Sequence, residues 1–349
     1  MRAVIYEDYG QMPQVREVPQ PAPPPGGVIV AVAATGVCRS DWHAWMGHEP
    51  VSLPHVPGHE LVGTVVDVGA GVSRWDEGDR VTVPFACGCG KCVWCRQGEQ
   101  QVCPRQTQPG FTGWGSFAQY VALHAADTNL VEVPESLSDV AAAALGCRFA
   151  TAYRAVTTHG WLRAGQWLVV VGVGGLGLSA VAIATAFGAR VIAVDVSPRS
   201  LSMAATLGAE RTVLCADSMS SETVAERVRV LTDGGAHVGI DAIGLPGAAR
   251  TSVLSLRRRG RHVQAGLLLA DDATTALPMD RIIAHELSVH GTHGLAAHEY
   301  PAMLDLVAAR IDLSTLIGRT ISLEDVPEAL SSMSEPASSA GLTVVDMSR

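Results

Sequence analysis

One stretch, Leu168–Asp195 (LVVVGVGGLGLSAVAIATAFGARVIAVD), constrains the fold of this 349-residue chain more than any other. It opens with an apolar run, Leu168 to Val171, of the length and Val content of a fully buried strand. Gly172, Gly174, Gly175 and Gly177 follow in G-x-G-G-x-G order. A helix-period segment, Leu178 to Phe187, is closed by Gly188, and a second β-rich run, Val191 to Val194, ends in Asp195. Strand, glycine turn, helix, strand and terminal acid make a βαβ unit of the dinucleotide-binding kind. The glycines allow a tight turn, backbone approach to a pyrophosphate, and close packing of helix on strand. The helix N-terminus offers unpaired N–H groups to phosphates.

Two plainer readings compete. A glycine pattern alone also fits an ordinary βαβ turn, but here strand, helix, second strand and acid all accompany it, the acid at about the usual 20-residue offset. A membrane span is the other reading, given the length of the apolar run. Five glycines between Gly172 and Gly188, together with Arg190 and helix-then-strand patterning, argue for a buried sheet. The unit is read as a Rossmann fingerprint. Asp195 stands where a carboxylate accepts from an adenosine ribose diol and repels a 2′-phosphate, which favours NAD over NADP.

The chain is longer than one hydrophobic core usually supports, so two domains are expected. Apolar residues make up 48% and charged residues 17%, which fits a packed enzyme rather than a disordered chain. A net charge of −9 gives no electrostatic reason to bind nucleic acid or an anionic membrane. The basic cluster RRRGR, residues 257–261, reads as a solvated turn before a strand. The N-terminal MRAVIYEDYG is strand-like and lacks the apolar core of a signal peptide, so a cytoplasmic protein is expected. Its eight cysteines then favour metal ligation over disulfides.

Short strands are predicted at residues 3–6, 28–34, 61–68, 80–84 and 117–123, with the Pro-rich turn Pro19–Gly27 between the first two. Their spacing suggests a compact, barrel-like β domain. Around Val140–Ala144 the pattern becomes helical, and to about residue 290 strands alternate with helices, as in a doubly wound α/β domain. Predicted helices lie at Ser200–Leu207, Ser221–Leu231 and Ala248–Leu256, and predicted strands at Arg211–Leu214, Val238–Ala242 and Arg261–Ala265. A helix near Tyr300–Ala309 and a strand near Leu342–Val345 are expected to return to the first domain.

Cys89, Cys92, Cys95 and Cys103 form C-x2-C-x2-C-x7-C, which wraps one tetrahedral Zn2+ with no open position. Such a site is structural; Cys87, just upstream, is read as a non-ligand. A second set is dispersed: Cys38 in GVCRSDWH, His59 in PGHE and Cys147 in LGCRFATAY. Singly, each reads as a core residue. Together they supply the Cys2His set of a catalytic zinc with a fourth position open. Asp41 is placed to orient His59, and Glu60 to act as a neighbouring acid or a further ligand.

These motifs, in their order, resemble the zinc-dependent alcohol dehydrogenases of the medium-chain dehydrogenase/reductase superfamily. The resemblance rests on C-R-S-D-x-H at Cys38–His43, G-H-E at Gly58–Glu60, the four-cysteine lobe, G-C-x-x-x-T at Gly146–Thr151 and the glycine turn. It implies a GroES-like catalytic domain at 1–147 and 294–349, with a zinc lobe at 87–104, and a Rossmann NAD-binding domain at 148–293. It implies Cys38, His59, Cys147 and, as an occasional further ligand, Glu60 at a catalytic zinc. Ser40 and His43 would relay the proton of a zinc-bound alkoxide while a primary or secondary alcohol gives a hydride to NAD. Arg39 would touch the pyrophosphate, and Thr151 and Leu176 would pack against nicotinamide beside Gly172, Gly174, Gly175, Gly177 and Asp195. Phe85 falls at a substrate-pocket position, with Trp45 and Trp114 as further wall candidates. Two zinc ions per chain and a homotetramer of the microbial type complete the expectation.

The sequence departs from the family pattern at Ser200, where lysine is common, with Arg199 one residue earlier, and at Arg148, where glycine is frequent. Two other readings stay open at this level: a zinc-free quinone or enoyl reductase on the same fold, and a non-catalytic NAD-binding redox sensor. Cys215, His285, His290, His293 and His298 fit no motif; the histidines read as loop residues near the cleft.

Overall fold

The structure is a computed structural model that describes residues 1–216, 218–335 and 340–349. Its strands are β1 (Arg2–Ile5), β2 (Gln14–Glu17), β3 (Val28–Val37), β4 (Glu60–Val68), β5 (Arg80–Thr82), β6 (Tyr120–Leu123), β7 (Val131–Glu132), β8 (Trp167–Val171), β9 (Arg190–Asp195), β10 (Arg211–Leu214), β11 (Ala236–Asp241), β12 (Leu256–Gln264), β13 (Ser288–Gly291), β14 (Ile317–Ile321) and β15 (Leu342–Asp346).

Val-rich runs broken by turn residues build the first large sheet, which has seven strands in the order β14-β15-β3-β4-β5-β7, with β6 also on β3. The long strand β3 pairs antiparallel with β4, β6 and β15, and its side chains pack into separate core clusters, so it is buried along nearly its whole length. The chain end therefore returns to the first sheet, as the sequence predicts. β1 and β2 form a separate antiparallel pair.

The second sheet is parallel throughout, in the order β10-β9-β8-β11-β12-β13. This is the Rossmann order, in which the chain reverses direction across the sheet between β8 and β11 and leaves a crevice at their carboxyl ends. All residues of β8 are buried, and so is most of the helix Gly175–Ala186, whose apolar residues go round the helix rather than along one stripe. Side-chain oxygens of Ser138, Ser197 and Ser220 accept backbone N–H groups at three helix starts and fix where those helices begin.

Two expectations are corrected. The run 117–123 enters the sheet only at Tyr120, because the Phe117 N–H is spent on Pro57 O and its carbonyl accepts from Val4 N. The basic cluster 257–261 lies inside β12 rather than before it. Its register jumps between the pairs Ala236–Leu256 and Val238–Arg261, Arg259 has φ +58°, and Arg257 to Arg259 are extruded to solvent as a bulge. Among the described residues, no helix is long and apolar enough to cross a membrane.

Candidate active site

The first cluster is assembled from three distant segments. Cys38 follows the last residue of β3 and precedes the short helix Arg39–Trp45; His59 precedes β4; Cys147 lies in a π-helical turn, Leu145–Phe149. Asp41 binds these segments together. Its Oδ2 accepts Cys38 N–H at 2.9 Å, and its Oδ1 accepts Gly58 N–H at 3.0 Å and His59 Nδ1–H at 2.8 Å. A carboxylate on Nδ1 fixes the His59 tautomer and leaves Nε2 with a free lone pair.

That lone pair has nothing else to do: His59 Nε2 is buried without a hydrogen-bond partner. It lies with the Cys38 and Cys147 sulfurs and a Glu60 oxygen in a group whose donor atoms are all within 4.8 Å of one another. Two thiols, an imidazole and an adjoining carboxylate form the donor set of a zinc site, and the orphaned imidazole nitrogen is what such a site requires. The residues fit the ion. The side chains polarise one another. The hydrogen bond from Cys147 holds Cys38 well below the ordinary thiol range, and the same contact pushes Cys147 well above it. Burial pulls His59 down, but the charge and hydrogen bond of Asp41 outweigh it and hold His59 above its usual value. Burial raises Glu60 despite its ion pair with Arg148.

Ser40 Oγ lies 3.9 Å from Cys38 Sγ, in the first turn of the helix Arg39–Trp45. His43, one turn on, faces His48 with the two Nδ1 atoms 3.0 Å apart. Burial, then His48 and Arg39, push the His43 imidazole down to about 4, so it is a neutral base near neutral pH.

The glycine turn faces this cluster across one cleft of about 480 Å³, lined by Cys38, Ser40, His59 and Cys147 on one side and Gly172–Leu176 and Asp195 on the other. Gly172 has φ +86°, and a Cβ there would meet Ile243 at 2.1 Å, across the point where the strand order reverses. A Cβ on Gly177 would lie 1.9 Å from the Gly172 carbonyl oxygen, so helix and turn touch backbone to backbone. On Gly174 a Cβ would meet nothing, because that side of the turn opens on the cleft. An open backbone cradle at the start of a helix fits a pyrophosphate. Asp195 supports it: Oδ2 accepts Val173 N–H at 2.7 Å and Oδ1 accepts Ser197 N–H at 2.8 Å.

The second cysteine cluster closes on itself. The sulfurs of Cys89, Cys92, Cys95 and Cys103 lie within 4.8 Å of one another around the helical turn Val93–Arg96. Backbone N–H groups of Cys89, Cys95 and Arg105 donate to these sulfurs at 3.3–3.5 Å, which favours thiolates. Four sulfurs and no carboxylate fit a structural zinc. Cys87 lies outside the group; buried, with its thiol toward Pro84 O at 3.2 Å and pushed up to about 12, it is a poor ligand.

Arg39, Thr151, Leu176 and Phe85 all line the cleft; Arg39 also stacks over Trp42 at 4.5 Å and donates to the Met333 carbonyl. Trp45 and Trp114, expected as wall candidates, are not among the lining residues. Trp45 is buried, with Nε1 donating to Gln11 O at 2.6 Å, and the Trp114 indole is drawn to Pro54 O at 3.1 Å. Of the four late histidines only His293 lines the cleft, 5.0 Å from Phe85. Phe111, unremarked in the sequence, stands 5.2 Å from the His59 ring. Glu49, Gln108 and Ile243 are further lining residues without a motif to announce them.

Comparisons with known proteins agree with this geometry. Residues 24–135 match the family described as alcohol dehydrogenase GroES-like domain, and residues 175–309 the family described as zinc-binding dehydrogenase. An alcohol dehydrogenase of Geobacillus stearothermophilus is 32% identical over 336 residues, 95% of each chain. One from Rhizobium meliloti is 37% identical over 298 residues, 84% of each chain. The solved alcohol dehydrogenase of Thermus sp. ATN1 superimposes with a TM-score of 0.88 at 29% identity, over 99% of both chains.

Proposed function

The chain belongs to the zinc-binding alcohol dehydrogenases of the medium-chain dehydrogenase/reductase superfamily, and from that premise we propose that it is an NAD-dependent enzyme interconverting alcohols with aldehydes or ketones. One observation carries the reading. The orphaned His59 Nε2, the two sulfurs and the glycine turn share a single cleft, so a Lewis-acid site and a dinucleotide cradle confront the same substrate volume.

In this reading Cys38, His59 and Cys147 hold the catalytic zinc, with Glu60 beside them, and Cys89, Cys92, Cys95 and Cys103 hold a second, structural one. When bound, the catalytic ion supplies Lewis-acid polarisation, the effect that takes a water pKa from 15.7 to about 7. The chain does the rest. Asp41 aims the imidazole. Ser40 accepts the alcohol proton and His43 receives it in turn, with His48 beyond it toward solvent. Thr151 and Leu176 would hold a nicotinamide, which when bound would supply the acceptor for the carbinol hydride, so that each turnover would give one carbonyl compound, one NADH and one proton. Asp195 selects NAD by accepting from the ribose diol.

Phe85 and Phe111 put aromatic edges around His59, at 6.1 and 5.2 Å between ring centroids. That wall favours small apolar primary or secondary alcohols over polyols, whose hydroxyls would lose hydrogen bonds there. The reading includes a cytoplasmic homotetramer, with residues 1–147 and 294–349 as catalytic domain and 148–293 as dinucleotide domain.

The test is a panel of alcohols assayed with NAD and NADP beside metal analysis. Two zinc per chain and an alcohol-dependent rise of NADH absorbance are expected, the rise lost in Cys38→Ser. Full activity in that variant, or in metal-free protein, rules the mechanism out.

A further inference from the structure

Arg148 has no part in the roles assigned so far, yet it lies between the two halves of the cleft. It follows Cys147 in the turn Leu145–Phe149 and is only 11% exposed. Its backbone N–H donates to Glu60 Oε1 at 2.9 Å. Its Nε donates to Oε1 at 3.0 Å and to Oε2 at 3.1 Å, and Nη2 completes the fork on Oε2. Glu60, next to His59, is fully buried. The ion pair therefore ties together the chain neighbours of two candidate zinc ligands.

The remaining edge of the guanidinium faces the glycine turn. A Cβ built on Gly175, the first residue of the helix Gly175–Ala186, would lie 3.0 Å from Arg148 Nη1 and 2.7 Å from its Cδ. Arg148 lines the cleft with Gly174, whose open side is the phosphate cradle. A planar guanidinium has donors on more than one edge, so a single arginine serves two anions in different directions.

Resting on the dinucleotide reading above, we infer that Arg148 shares its guanidinium between Glu60 and the pyrophosphate of the bound dinucleotide. It is a positioning residue that links occupancy of the glycine turn to the carboxylate beside the zinc ligands. Before the dinucleotide arrives, Glu60 has the whole guanidinium. A pyrophosphate at Nη1 competes for that charge and adds its own repulsion, which loosens the hold on Glu60. Linkage makes the effect mutual: the factor by which a bound pyrophosphate weakens the Arg148–Glu60 pair is the factor by which the pair weakens pyrophosphate binding, so removing the Glu60 charge strengthens it.

The test compares ADP-ribose, which carries the pyrophosphate, with adenosine, which does not, by calorimetric titration of the full-length, zinc-loaded protein. Arg148→Gln is expected to weaken ADP-ribose about tenfold, the scale of one charge-assisted hydrogen bond, and to leave adenosine unchanged. Glu60→Gln is expected to tighten ADP-ribose, and Arg148→Lys to restore only part of the loss. A general packing defect would shift both ligands alike, so equal shifts, or none, overturn the inference. If Arg148→Gln does not fold, an unchanged ADP-ribose affinity in Glu60→Gln overturns it alone. Wild-type protein that binds neither ligand refutes the dinucleotide reading instead.

Discussion

Asp41 Oδ1 and His59 Nδ1 lie 2.8 Å apart with both side chains completely buried. The contact is worth more than its own hydrogen bond, because the same carboxylate also accepts from Cys38 N and Gly58 N. Asp41→Asn keeps the shape and removes the charge. Zinc affinity at the Cys38–His59–Cys147 site should fall about 10- to 100-fold, the usual cost of altering a ligand's orienting partner. Chelator competition measures it, and an unchanged dissociation constant would falsify the orienting role.

At the second cluster, four sulfurs from one short segment lie within 4.8 Å of one another, so metal and lobe should stand or fall together. Cys95→Ser should lose one of two zinc equivalents and melt lower. Cys87→Ser, outside the cluster, should keep both. Metal analysis beside calorimetric melting separates the two variants; equal zinc loss in both would place Cys87 among the ligands.

Much of this site is legible in the sequence, since thiols and imidazoles at metal spacings have few other uses in combination. Cys38, His59 and Cys147 needed the motif around each to stand out from core residues. Other parts need the fold. An indole's environment is decided by what packs on it, so Trp45 reads as readily as a pocket wall as it does as a buried donor to Gln11 O. The Arg148–Glu60 pair joins residues 88 positions apart, and no local period announces it. Residues 257–261 misled for the same reason: three consecutive arginines look like a turn, while parallel pairing with β11 and β13 makes them a bulged strand.

The proposed preference for NAD can be tested at Asp195. Its oxygens already hold Val173 N and Ser197 N, which keeps the carboxylate at the mouth of the glycine turn. Asp195→Asn should lower kcat/KM for NAD about 10- to 100-fold, as for a lost hydrogen bond to a charged group. Activity with NADP should rise, because the repulsion of a 2′-phosphate is gone. The ratio of the two specificity constants decides; a ratio equal to wild type removes Asp195 from selection.

Acid should weaken the parallel sheet through His262. The side chain is 1% exposed in β12, bonded to Ser252 Oγ at 2.8 Å and Gln264 Oε1 at 3.2 Å, and burial pushes its pKa down to about 4. A depressed folded-state value means the unfolded chain binds the proton first. The stabilisation is complete above about pH 6.5, the unfolded value, and drains away as pH falls toward 4, by about 3 kcal/mol at most. Urea unfolding at pH 7.5 and 5 should show a smaller loss in His262→Gln than in wild type. Parallel losses would assign the acid sensitivity elsewhere.

The proposed Ser40–His43 relay makes a sharper demand, because both side chains line the cleft yet neither is in the ligand group. Ser40→Ala should keep both zinc equivalents and lower kcat about 100-fold or more, the range of a lost proton-transfer group. His43→Ala should fall less, since His48 lies next in line and solvent is near. Added imidazole should restore part of the His43→Ala rate and none of the Ser40→Ala rate, because only the second step opens to bulk water. Rescue of both variants alike would mean that the alcohol proton leaves by another path.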